Sequence, residues 1–251
     1  MAGTKCSYLV QTEFACHLSK PSLSIQGSGC LRIYDGQMAL DSGERLDQVN
    51  NLLVQMTELV GTAISKATQA LLEDDLGVAE QVLSGDQAID QLNEEVEALC
   101  FRISTLQAPM ARDLRRVMSG IRIASSLERM GDLAVHIAKQ VRLRYPSPSV
   151  PEELRHTFAD MGMAASRIVA EAGQVIAASD TTLAGKIGQH DDVLDRLHRE
   201  LFTTVLSEDW TYGVEAAIDV TLLSRFYERF GDHAVTVAKR VTYIEDGSTF
   251  S

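Results

Sequence analysis

Glu128 and Asp132 stand four residues apart in "LERMGDLAVHIAK", and Glu228 and Asp232 repeat the arrangement in "YERFGDHAVTVAKR". Both phrases read Glu-Arg-x-Gly-Asp, then Ala-Val, then Ala-Lys, and the second follows the first by one hundred positions. On a helix, residues four apart share a face, with β-carbons about 5–6 Å apart. Two carboxylates there repel, and on a sheltered face the cost grows unless something compensates. At about 100° per residue, Ile121, Ala124, Gly131 and Val135 surround the first pair, and Ser224, Gly231 and Val235 the second. Such small or apolar neighbours predict that each pair sits where helices approach closely.

A sheltered carboxylate pair is relieved by protonation, by an arginine, or by a cation. Arg129 and Arg229 adjoin the glutamates but lie about 100° round the helix and are expected to point elsewhere. A hard or borderline cation held by oxygen ligands is therefore the preferred reading. Acids on the preceding helix extend each set: Asp86, Asp90 and Glu95 in the first half, and Asp191, Asp195 and Glu200 at the same spacing in the second. Gly131 and Gly231 lie inside helices, where glycine costs about 1 kcal/mol relative to alanine. Their presence predicts close helix approach or room for a metal. His136 falls on the Asp132 face but is matched by Thr236, and His190 and His233 have no first-half counterparts. These histidines are read as surface or packing residues.

Two other readings compete. A di-metal carboxylate enzyme needs Glu-x-x-His on two helices, but Gly131 and Gly231 occupy the positions three after Glu128 and Glu228. A metal-free helical scaffold would simply leave all these acids solvated.

The elements that must position the acids are helices. Leu46, Val49, Leu53, Met56, Val60 and Ile64 recur at spacings of three and four, an amphipathic period. Asp75 and Gly77 suggest a turn before a second helix, and Pro109 is expected in the first turn of a third. Pro146, Pro148 and Pro151 then open a linker, because proline removes backbone donors and disfavours helical geometry. Three further helices follow. The expectation is an all-α fold of two tandem three-helix-bundle repeats, residues 43–145 and 151–246. Residues 1–37, with their Ser, Gly and Pro, are expected to form a disordered leader outside that fold.

Composition narrows the function. A net charge of −12 excludes a broad basic surface for nucleic acid, although Arg112, Arg115 and Arg116 form a candidate local basic patch. No apolar run approaches the roughly 20 residues that cross a bilayer, and a charged-then-apolar signal pattern is absent. The chain is expected to be cytoplasmic, reaching membranes only through a partner. Cys100 reads as a small buried hydrophobe, and Cys6, Cys16 and Cys30 match no zinc spacing.

At "ARDLRRVMSGIRIASSLERMGD" and "LLEDDLGVAEQVLSGDQAID" the chain resembles the PhoU family, accessory and regulatory proteins of phosphate-specific transport. The resemblance runs from Leu46 to Tyr243 and includes both repeats. It implies paired three-helix bundles, a homodimer, and in some members multinuclear iron or zinc clusters on the Glu-x-x-x-Asp helices. Carried over by position, the ligands are Glu128, Asp132, Glu228 and Asp232, followed by the second-helix acids. The resemblance further implies a non-enzymatic negative regulator of phosphate uptake and of the phosphate-starvation response. Its implied partners are the ATPase subunit of the phosphate ABC transporter and a membrane sensor histidine kinase. Residues 1–37 have no counterpart in the family, which makes Met38 a natural start.

Overall fold

The structure, a computed structural model, describes residues 42–247; the expected leader lies outside them. Six helices follow in order: α1 Ser42–Glu73, α2 Leu76–Gln107, α3 Arg112–Arg144, α4 Arg155–Ala178, α5 Thr181–Val205 and α6 Gly213–Asp246. A single 3-10 turn, Glu152–Leu154, precedes α4, and no strand occurs among the described residues. The fold is all-α, as the periodicity predicts.

The two halves are built by the same local chemistry. Asp74 and Ser179 adopt left-handed backbone (φ 52° in both), which ends α1 and α4. The next residue caps the following helix. Asp75 accepts from the Gly77 and Val78 amides at 2.7 and 3.0 Å, and Asp180 accepts from Thr182 and Leu183 at 2.9 Å each. Each aspartate satisfies amides that a helix start leaves without partners. Pro109 differs from expectation. Ala108 and Ala111 flank it with positive φ (44° and 49°), so helical geometry resumes only at Arg112 and Pro109 belongs to the connecting loop.

All six apolar positions that define the α1 period are buried. α2 packs on α1 and α3, α5 packs on α4 and α6, and the halves join through α1 against α4 and α3 against α6. Four helices are thus central and α2 and α5 are outer. α3 and α6 run antiparallel: Arg112 at the start of α3 pairs with Glu245 at the end of α6 (2.6 Å), while Arg144 at the end of α3 pairs with Asp219 near the start of α6 (2.6 Å). The linker is tied down by Asp74, whose carboxylate accepts from the Ser149 amide (3.1 Å) and Arg155 (2.5 Å). Tyr227, Phe158 and Phe230 are fully buried, each burial contributing about 1.5–3 kcal/mol, and the Phe158 and Tyr227 rings lie 6.2 Å apart.

Arg112, Arg115 and Arg116 do not form a free basic patch: Arg112 pairs with Glu245, Arg116 with Asp47 (3.0 Å), and Arg115 donates to the Ile244 carbonyl (3.2 Å). Helix packing brings acids of α1 and α6, and an α6 carbonyl, against them. Cys100 is buried as a free thiol, and burial pushes its pKa up to about 11. No described helix is long and apolar enough to cross a membrane.

Candidate metal centres

Asp86 and Asp90 lie one turn apart on α2, facing Glu128 and Asp132 on α3. Burial raises the Asp86 pKa first, and the negative charges of Asp90 and Asp132 raise it further, against Lys139 and His136. Glu128 is raised by burial and then by Asp132, with Asp90 and Asp86 adding to the effect. Four carboxylates therefore share one seam. Gly131 makes the seam shallow: a β-carbon there would stand 2.9 Å from Ile89 Cδ1 and 3.4 Å from Asp86 Oδ1.

The α5–α6 seam repeats this with stronger confinement. Burial, followed by the charges of Asp195, Asp232 and Glu228, pushes the Asp191 pKa up to about 7. Glu228 is raised by burial and Asp232. A β-carbon on Gly231 would fall 1.9 Å from Asp191 Oδ1, so only glycine admits that carboxylate against the α6 backbone. Asp191 Oδ1 and Glu228 Oε2 are buried without a hydrogen-bond partner among the described residues.

Sequence reasoning and geometry part company in three places. Glu95 and Glu200 are exposed and outside the seams; each lies five residues past the nearer seam aspartate, a turn of about 140° away from it. Glu200 instead meets Arg196 at 3.1 Å. Arginines do reach the acids, contrary to expectation. Arg129 spans Glu128 (3.4 Å) and Asp132 (2.8 Å), and Arg225 donates to Glu228. A long guanidinium arm folds back along its own helix surface, so angular position at Cα does not decide its partners. Finally, shelter is uneven: Glu128 and Glu228 keep 21% and 12% of their side-chain exposure, whereas Asp132 keeps 32% and Asp232 is exposed. The glutamates line the seams and the aspartates sit at the rims.

His198 and Asn93 were missed. They continue the α5 and α2 stripes at i+7 from Asp191 and Asp86, a signal that looking only for acids overlooks. Ser224 Oγ donates to the Thr221 carbonyl (3.0 Å), so the 2.9 Å contact between His198 Nδ1 and Ser224 Oγ has the imidazole donating and leaves Nε2 unprotonated. Burial and Arg225 lower the His198 pKa, favouring that neutral form. At the equivalent place Asn93 Oδ1 is buried without a hydrogen-bond partner among the described residues. His190 lies elsewhere, 2.5 Å from Glu171, as a packing residue would.

Carboxylate oxygens, orphaned lone pairs and charge held out of water are what a hard or borderline cation relieves, so the donor set fits one. Among the described residues no three His, Cys, Asp or Glu side chains are already gathered so as to hold a metal ion. Binding would have to draw the carboxylates together.

The PhoU domain model matches residues 53–141 and 158–241, spans that contain all ten candidate acids, five in each. The chain belongs to the PhoU family. A relative from Mycobacterium tuberculosis, phosphate-specific transport system accessory protein PhoU homolog 2, is 45% identical over 82% of this chain and 96% of its own length. PhoU homolog 1 of Mycobacterium leprae is 43% identical over 82% of this chain and 92% of its own. Crystal structures of PhoU from Pseudomonas aeruginosa and of the phosphate transport system regulatory protein PhoU from Streptococcus pneumoniae superpose with TM-scores of 0.75 and 0.76. They are 28% and 27% identical, covering 83% and 84% of this chain and all of theirs. The two domain matches and the two equivalent seams identify the internal duplication as one PhoU unit repeated.

Proposed function

We propose that the chain is a non-enzymatic accessory protein of phosphate uptake, acting as a negative regulator of transport and of the phosphate-starvation response. The observation that carries this reading is near-full-length similarity, at 42–45% identity, to proteins named phosphate-specific transport system accessory proteins. Its partners in this reading are the ATPase subunit of the phosphate ABC transporter and a membrane sensor histidine kinase, met from the cytoplasmic side. Two outer helices, α2 and α5, are free to present such a surface because each packs on its own repeat alone.

Iron or zinc at the two seams belongs to the same proposal. A bound ion would supply positive charge to Asp86, Asp90, Glu128 and Asp132, and to Asp191, Asp195, Glu228 and Asp232. These residues would then hold α2 against α3 and α5 against α6. Neutral His198 adds a nitrogen donor beside the second set, which favours a borderline metal there. The di-metal enzyme reading lacks its Glu-x-x-His ligands, since Gly131 and Gly231 stand in place of the histidines.

Deletion of the gene should leave phosphate-responsive genes expressed in phosphate-rich medium, and the chain should restore repression. Normal repression in the deletion strain would sink the regulatory reading. Retention of the purified ATPase subunit on immobilised protein tests the partner separately.

A further inference from the structure

At one end of the four central helices, a cavity of about 240 Å3 lies between the starts of α1 and α3 and the ends of α4 and α6. Two of those helices come from each repeat, and junctions of this kind are where ligand pockets form in helical bundles. Leu46, Val49, Leu53, Ile123, Ile176 and Val241 contribute to its wall, and all are buried. Well-packed interiors leave few voids larger than a water molecule, so this space is an exception that the fold maintains. It falls below the roughly 300–1,000 Å3 of pockets that take drug-sized ligands. A compound of amino-acid size fits that scale.

The ionisable side chains in the wall are two cations and two anions, already matched. Arg112 pairs with Glu245 at 2.6 Å and Arg116 with Asp47 at 3.0 Å. The second pair is the looser one. Asp47 keeps 73% of its side-chain exposure, while Arg116 is sheltered at 29%. An ion pair with one arm so solvated contributes little to stability, so Asp47 can swing outward at small cost. A plain anion taking Arg116 would then lie beside two carboxylates, in a chain of net charge −12. A plain cation would meet two arginines. Only a ligand that carries both signs leaves every charge at this opening matched.

We propose that the cavity binds a small zwitterion with an apolar body, an aliphatic α-amino acid of leucine's kind. The ligand inserts into the Arg116–Asp47 pair: its carboxylate meets the guanidinium fork, and its ammonium group meets Asp47. Its side chain enters the space walled by the buried aliphatic residues, and Asn50, in the same wall, offers an amide that can donate and accept. Arg112 and Glu245 stay paired and keep α3 fastened to α6. Because α1, α3, α4 and α6 all contribute to the wall, the bound ligand touches both repeats at their joint.

Isothermal titration calorimetry on the chelator-stripped full chain tests this with L-leucine, 4-methylpentanoate (leucine without its amine), isopentylamine (leucine without its carboxylate) and inorganic phosphate. Leucine should bind, and each of the other three at least about tenfold more weakly, the scale of one hydrogen bond to a charged group. Arg116→Gln should weaken leucine to a similar degree. Asp47→Asn should weaken leucine but strengthen 4-methylpentanoate, because it removes the partner of the ammonium and the repeller of the anion together. Ala177→Leu, at an exposed wall position of α4, leaves all four charges in place and should reduce binding by filling the cavity. Circular dichroism checks that each variant keeps its helix content. Absence of leucine binding overturns the proposal, as does phosphate or 4-methylpentanoate binding as tightly as leucine. Leucine binding that survives both Arg116→Gln and Ala177→Leu would place the ligand elsewhere and overturn it equally.

Discussion

Asp191 Oδ1 occupies space that a β-carbon on residue 231 would need, 1.9 Å away, and Gly231 is what admits it. The first seam is looser: the Cβ of residue 131 would meet the mobile end of Ile89 at 2.9 Å and Asp86 only at 3.4 Å. The duplicated glycine thus has unequal work in the two repeats.

Alanine at the two glycines should separate these roles. Alanine favours helix by about 1 kcal/mol over glycine, and Ile89 can yield at its tip. Gly131→Ala is therefore expected to be neutral or slightly stabilising. Gly231→Ala must expel the Asp191 carboxylate from the seam, so it should keep the helical fold while weakening cation binding. Thermal melts with and without added metal check both; equal metal responses in the two variants would contradict the assignment.

Asp191 also sets a pH dependence. Its folded pKa near 7 lies above the ordinary aspartate value of about 3.9, so between those limits the folded state holds more protons than the unfolded. Stability of the metal-free protein therefore declines as pH rises through that window. Asp86, Glu128 and Glu228 shift in the same direction, whereas His198 and His233, lowered by burial, act oppositely. Asp191→Asn isolates the one group. It should raise the urea midpoint at pH 8 and leave it little changed at pH 4. An equal gain at both values would show that the carboxyl is not held protonated by the seam.

Much of this architecture is legible in the sequence. The α1 core positions, the duplication and the two four-acid sets follow from helical period alone, because residues at i and i+4 must share a face. Glu95 and Glu200 failed for the same reason, being five residues from their neighbours. Arg129 and Arg225 were not legible, since a flexible arm chooses its partner after the helix is fixed. Pro109 misled because left-handed Ala108 and Ala111 carry no sequence signature: alanine ordinarily favours helix.

Cation binding should appear as stability. A ligand that binds only the folded state contributes about 2.7 kcal/mol at one hundred times its dissociation constant. Zinc or ferrous iron is expected to raise the melting temperature of chelator-stripped protein. Glu228→Gln with Asp191→Asn should remove the part due to the second seam, and Asp86→Asn with Glu128→Gln the part due to the first. Elemental analysis of the same samples gives the stoichiometry. No shift with either metal would remove the ions from the proposed function while leaving its regulatory part intact.

The joint between repeats runs through a buried threonine. Thr68 donates to the Ile64 carbonyl (2.9 Å), so the 2.7 Å contact with Tyr227 has the tyrosine donating, a buried bond from α6 to α1. Gly162 on α4 presses on the same threonine: an added Cβ would lie 2.3 Å from its Cγ2 and 2.6 Å from its Oγ1. Gly61 on α1 has room, its nearest neighbour being Val169 Cγ1 at 3.5 Å. Gly61→Ala should therefore be neutral or stabilising by up to about 1 kcal/mol. Gly162→Ala should lose about 1–3 kcal/mol by overpacking, and Tyr227→Phe about 0.5–1.5 kcal/mol through the missing bond. Because the Gly162 clash displaces Thr68 from Tyr227, the losses of Gly162→Ala and Tyr227→Phe should not add in the double variant. Denaturant unfolding of the four variants measures this, and full additivity would show that Gly162 and Tyr227 act on Thr68 independently.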